Sequence, residues 1–136
     1  MMSKYKEITT QITDPDHITA ALDDMGVPYE VAAAGQEIPL YGYQGDQRDE
    51  TGAVVVRREH IGSASNDIGW SLDPETGAYQ LYLSEYDAGS VKAARNIVEG
   101  VAQRCAFYKL QELAAQNGFA VDTLTEFDVQ RIFIGR

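Results

Sequence analysis

Apolar positions along the chain follow two periods, the helical one and the strand period of two. Between Asp14 and Gly26, residues Ile18, Ala21, Leu22 and Met25 stand at i, i+3, i+4 and i+7, one face of a short helix. Asp14 is placed to cap that helix, Pro15 takes the first position, where a missing N–H costs nothing, and Gly26 supplies a left-handed stop. Elsewhere the period is two. Residues 5–13, rich in β-branched side chains, predict a first strand. Residues 27–31 predict a short edge strand with Pro28 near its start, and 38–43 a further strand with Tyr41 and Tyr43 on one side. The run Ala53-Val54-Val55-Val56 predicts a strand over 53–59, central in its sheet. Residues 66–72 and 78–84 flank Asp73-Pro74-Glu75-Thr76-Gly77, a turn-forming loop that predicts a hairpin. In its second strand Tyr79, Leu81 and Leu83 face the core, while Gln80, Tyr82 and Ser84 face outward. Residues 45–52 read as a charged loop and 60–65 as a connector.

The helical period returns over residues 90–117, one helix of roughly 40 Å. Gly118 is its stop, with Phe119 placed to touch Leu113 or Ala114. Val91, Ala94, Ile97, Val98, Val101, Ala102, Cys105 and Tyr108 form one stripe. Ala106, Phe107, Leu110, Leu113 and Ala114 lie about a third of a turn around from it. Two helix faces are therefore expected to be covered, through a kink near Gly100 or through a second packing partner. A mid-helix glycine costs about 1 kcal/mol against alanine, so close approach of another element is expected at Gly100. Two last strands are predicted over 120–126 and 129–134. The order describes an α+β fold: a mostly antiparallel sheet with one short N-terminal helix and one long helix packed on it, in a single domain over 1–136.

Charge narrows the function classes. Eleven Lys and Arg face 21 Asp and Glu, a formal net charge of −10. Phosphate backbones and anionic membrane surfaces are bound by cationic residues, so nucleic acid and membrane are disfavoured and basic protein partners favoured. Cys105 is the sole cysteine, which rules out an internal disulfide and fits a reducing compartment. No apolar leader and no apolar run of membrane-spanning length is visible, so the expected location is cytoplasmic, or stromal if plastid-encoded.

No catalytic motif is present. His17 and His60 stand at no metal-ligand spacing to each other or to Cys105 and read as surface histidines. Asp46, Asp49 and Glu50 do not match a calcium loop, and Gly42-Tyr43-Gln44-Gly45 matches no phosphate-binding glycine pattern. Ser63 and Ser65 lack a nucleophile elbow, and Cys105 sits on the apolar stripe as a core residue. No cofactor and no metal are expected. The candidate ligand-binding residues are Tyr41, Tyr43, Arg57, Arg58, Asn66, Asp67, Trp70, Tyr82 and Tyr86, an aromatic and cationic set from strands and strand ends. They make a site only if Arg57, Asp67, Trp70 and a tyrosine converge; cross-strand pairing in a small sheet is the plainer reading. Candidate interface residues are Phe107, Leu110, Leu113 and Ala114.

The segment 3–14, the helix end Leu22-Asp23-Asp24-Met25-Gly26, and the motifs Tyr41-Gly42-Tyr43-Gln44-Gly45, Val56-Arg57-Arg58, Asn66-Asp67-Ile68-Gly69-Trp70, Gln103-Arg104-Cys105-Ala106 and Asn117-Gly118-Phe119 together resemble one family. It is the hypothetical chloroplast reading frame 35-like family, domain of unknown function 1257. Cys105 stands where that family usually looks aromatic, and residues 131–136 match its ending only loosely. The resemblance brings no activity and no catalytic residues; it implies an accessory role beside AAA-type ATPases. The resulting expectation is a small acidic adaptor or accessory subunit, not an enzyme, with a protein partner or a second copy of itself docking on the helix. The alternative is a small-ligand or anion-binding protein, or an enzyme, using the aromatic–arginine set.

Overall fold

Local signals set the first helix of the computed structural model, which describes residues 4–118. Helix α1 runs Pro15–Met25. The Asp14 side chain accepts the Asp16 N–H at 2.9 Å, and Gly26 closes the helix at φ 69°, donating back to Asp23. Ile18, Ala21 and Leu22 are buried, as the spacing required.

The strands are β1 (Tyr5–Thr9), β2 (Glu30–Val31), β3 (Ile38–Tyr41), β4 (Gln47–Gly52), β5 (Val54–Val56), β6 (Ile68–Leu72) and β7 (Tyr79–Ser84). Five of them form one antiparallel sheet in the order β1-β7-β6-β5-β2. β2 is an edge strand and β5 an interior one, both as expected. β3 and β4 form a separate antiparallel hairpin. The first strand stops at Thr9, short of the expected residue 13. The strands expected over 120–126 and 129–134, and the Phe119 contact, lie outside the described residues.

β4 corrects the reading of residues 45–52 as a loop. Its inward side carries Arg48 and Glu50 rather than apolar residues, so the period of two was invisible to hydrophobicity. Ser84, expected outward, is also buried, because its hydroxyl serves buried polar partners.

The long helix starts at Lys92, two residues later than expected, and a short helix not legible in the sequence precedes it. A short helix α2 (Glu85–Ser90) is capped by the Ser84 side chain, and extended Val91 separates it from α3 (Lys92–Gln116). α3 is continuous through Gly100. A methyl group at Gly100 would lie 2.5 Å from Met25 Cε, so glycine there admits the α1 side chain. Of the predicted stripe, Ala94, Ile97, Val101 and Cys105 are buried.

Helices and hairpin cover opposite faces of the sheet. Val54, Val56, Ile68, Trp70, Leu81 and Leu83 join Ile18, Leu22, Ala94, Ile97 and Val101 in the main core. Alternate residues point the other way. Gly69 faces Leu40 of β3, where a methyl would meet Leu40 Cδ2 at 2.8 Å. The continuous Val54-Val55-Val56 run is thus explained: the strand is buried on both faces.

Candidate functional site

On the hairpin face, Asp67 organises a buried polar cluster. Its side chain is 1% exposed. Oδ2 accepts the Tyr41 N–H at 2.9 Å and Arg57 Nη1 at 2.8 Å, and Oδ1 accepts the Arg58 N–H at 2.7 Å. Arg57 also grips Glu30 with Nε and Nη2, at 2.7 and 3.0 Å, and donates to the Pro39 carbonyl. Its guanidinium lies 5.6 Å from the Tyr41 ring centre. The hydrogen bond from Arg57 holds the Glu30 carboxyl below its ordinary range, and Glu30 and Asp67 raise the arginine further. Arg58 donates to the carbonyls of Tyr43, Ser63 and Ser65. Asn66 accepts the Tyr43 N–H and donates to Ser84 Oγ, while its own N–H reaches Asp87 Oδ2. Tyr5, missed in the sequence, donates to the Asp67 carbonyl at 2.6 Å, and burial raises its pKa well above the usual tyrosine range.

Six of the nine sequence candidates therefore meet here: Tyr41, Tyr43, Arg57, Arg58, Asn66 and Asp67. The other three do not. Trp70 is 1% exposed and lies in the core on the helix face. Tyr82 packs edge-on against Tyr5, and Tyr86 is exposed on α2. The condition set for a shared ligand site, Trp70 beside Arg57 and Asp67, is not met. Both arginines are engaged by protein acceptors, so the cluster acts as a fastening between hairpin and sheet. Glu30, Asp87 and Tyr5 were not legible as members, because each joins from a distant segment. Arg104, from the motif Gln103-Arg104-Cys105-Ala106, pairs with Asp24 at 2.7 Å on the helical side.

Among the described residues, a concave feature lies on the helix face. A groove of about 510 Å³ runs between β1 with the following residues 10–13 and helix α3. Trp70 and Leu81 of the sheet line it. Ile8 and Ile12 line it from the β1 side, and Val98, Ala102, Cys105 and Ala106 from α3. The polar lining comes from His17, Glu99, Lys109 and the Thr and Gln side chains of 9–13. Thr10 and Ile12 shape the β1 side: the Thr10 hydroxyl donates to the Tyr79 carbonyl, and the Tyr79 N–H donates to Ile12 at 2.8 Å. Ala102, expected in the buried stripe, is exposed because the groove opens beside it. His17, read as a surface histidine, keeps only 14% of its side chain exposed. Burial pushes the Cys105 thiol up to about 11, with the Asp14 carboxylate adding to the shift, so the group is not an activated nucleophile.

The expected interface residues divide as well. Phe107 is 46% exposed, Leu110 and Leu113 are half-buried, and Ala114 is fully buried and offers no surface. No helix among the described residues is long and apolar enough to cross a membrane. A family model described as "Protein of unknown function (DUF1257)" matches residues 21–132. Comparison with curated proteins and with solved structures finds no match.

Proposed function

The chain belongs to the DUF1257 family of proteins of unknown function, and from that premise we propose that it is a non-catalytic adaptor that holds an extended, apolar segment of a partner protein in the groove beside β1. The observation that carries this reading is the pairing of the groove with a sheet edge. β1 is the outer strand, and among the described residues no strand pairs with its far side. An added strand would hydrogen-bond along β1 and turn alternate side chains toward the groove that Ile8 and Ile12 line. The net charge of −10 favours a segment flanked by Lys or Arg. Exposed Phe107 supplies further apolar surface on the same helix. Partnership with an AAA-type ATPase is one form of this proposal, and pairing of two copies of the chain is another.

The ligand-binding alternative is the weaker reading, because Arg57 and Arg58 already hold protein acceptors and would have to release them to hold an anion. Site-specific photo-crosslinking tests the adaptor. A crosslinker at Ala102, in the groove, and one at Glu59, on an exposed turn, are compared in cells of the native organism. The expected result is a partner segment of extended, apolar character captured at 102 and not at 59, and lost on Ala106→Arg. Crosslinks confined to residues 119–136 of the same chain, or equal capture at both positions, overturn the proposal.

A further inference from the structure

His17 stands between two carboxylates that come from distant parts of the chain. Its Nε2 lies 3.2 Å from Glu112 Oε2, late in α3, and 3.6 Å from Asp14 Oδ2, one turn back at the cap of α1. All three ligand-capable atoms fall within 4.8 Å of one another. Nitrogen and oxygen donors bind a first-row divalent ion at about 2.0–2.2 Å, which sets neighbouring donors roughly 3.0–3.6 Å apart. Both measured separations sit at that spacing. Asp14 caps the helix through Oδ1, which leaves Oδ2 turned toward His17. The Tyr108 ring, 5.6 Å away, packs against the imidazole.

Charge points the same way. Among the described residues, no Lys or Arg lies within 4.0 Å of either carboxylate. A protonated histidine can balance only one of the two acids. A divalent cation balances both and takes the imidazole as a neutral donor.

We propose that Asp14, His17 and Glu112 bind a divalent first-row transition cation that ties the start of α1 to the later part of α3. One imidazole and two carboxylates suit Zn²⁺, Mn²⁺ or Fe²⁺. Three protein ligands leave coordination positions open, as metal sites that accept an outside ligand do. His17 also lines the groove, so the site borders that space. The site does not depend on the adaptor reading. Sequence inspection missed it because Asp14 and His17 are one helical turn apart and unremarkable alone, while the third ligand is 95 residues away.

The test is calorimetric titration of the chelator-treated full chain with Zn²⁺ alone, paired with its thermal midpoint. One equivalent is expected to bind and to raise the midpoint. Asp14→Asn keeps the cap, since asparagine caps as well as aspartate. Asp14→Asn, His17→Gln and Glu112→Gln are each expected to weaken binding at least about 10-fold. His60→Gln is expected to leave it unchanged. Cobalt(II) substitution adds a visible spectrum that His17→Gln should alter. Should His17→Gln fail to fold, the two carboxylate variants decide alone, since those side chains are 43% and 44% exposed. Absence of binding to wild type at millimolar Zn²⁺ overturns the proposal. So does binding that survives within about twofold in the ligand variants, which would mark diffuse association with the acidic surface.

Discussion

The two faces of the sheet are held by different physics. Helices cover one face through apolar contact: Ile18, Leu22, Ile97 and Val101 meet Val54, Val56, Ile68 and Trp70 with no polar group required. The hairpin covers the other through polar contacts, with Asp67 at their centre and the Glu37 carboxylate accepting from Thr51 of β4 and from Ser71 of β6. Asp67 takes three donors, and Leu40 packs over Gly69 beside it. Apolar packing tolerates a groove, because an apolar cavity leaves no polar group without a partner. In a buried polar cluster each donor or acceptor left unmet is penalised. The difference places the accessible groove on the helix face and the buried polar cluster on the other.

The strongest way to break this contrast is Asp67→Ala. It strips three donors of their shared acceptor and should cost roughly 3–5 kcal/mol in urea-induced unfolding. A loss under about 1 kcal/mol would mean that the hairpin is held by apolar contact after all. Next comes a probe of the groove. With the Cys105 thiol at about 11 against an ordinary 9.0, its thiolate fraction near neutral pH is about 100-fold smaller, and alkylation should slow accordingly against a free thiol. Alkylation as fast as that of a small thiol would show that the α3 wall opens readily.

Gly69→Ala sharpens the hairpin side. The added methyl presses Leu40, which is fully buried, and should cost about 1–2 kcal/mol by thermal or urea unfolding. Gly100→Ala is its counterpart on the helix face. There the obstacle is the flexible end of Met25, and the gain in helix propensity offsets the crowding, so stability should change by less than about 1 kcal/mol. Equal losses at the two glycines would erase the distinction between the faces.

The smallest effect belongs to Glu30. Arg57 lowers its pKa, so its contribution is present above the ordinary glutamate range and is lost as pH falls through the lowered value. Its side chain is half exposed, so solvent screening keeps the contribution small. Urea midpoints of wild type and Glu30→Gln should differ slightly at neutral pH and converge in acid. A difference that persists at low pH would assign the effect to shape instead of charge.

Helix α1 was wholly legible in the sequence, because cap, first-position proline, apolar face and glycine stop are all local. The interior place of Val54–Val56 and the β6–β7 hairpin were legible for the same reason. β4 was not, since its inward residues are charged and meet Tyr5 rather than an apolar core; the Arg48 guanidinium lies 5.1 Å from the Tyr5 ring centre. Nor was the separation of Trp70 from Asp67 drawn from the alternation, although the two are three residues apart and strand geometry already sends them to opposite faces.

The sequence by itself determined the α+β class, the antiparallel sheet and the two helices that cover it, because short-range periodicity and caps act within a few residues. The tertiary structure alone decided where chemistry can occur. Pairings such as Arg57 with Glu30, Tyr5 with Asp67, and His17 with Glu112 span 27, 62 and 95 residues. No local pattern encodes them, since they arise only when packing of the apolar faces brings distant polar side chains to a common place.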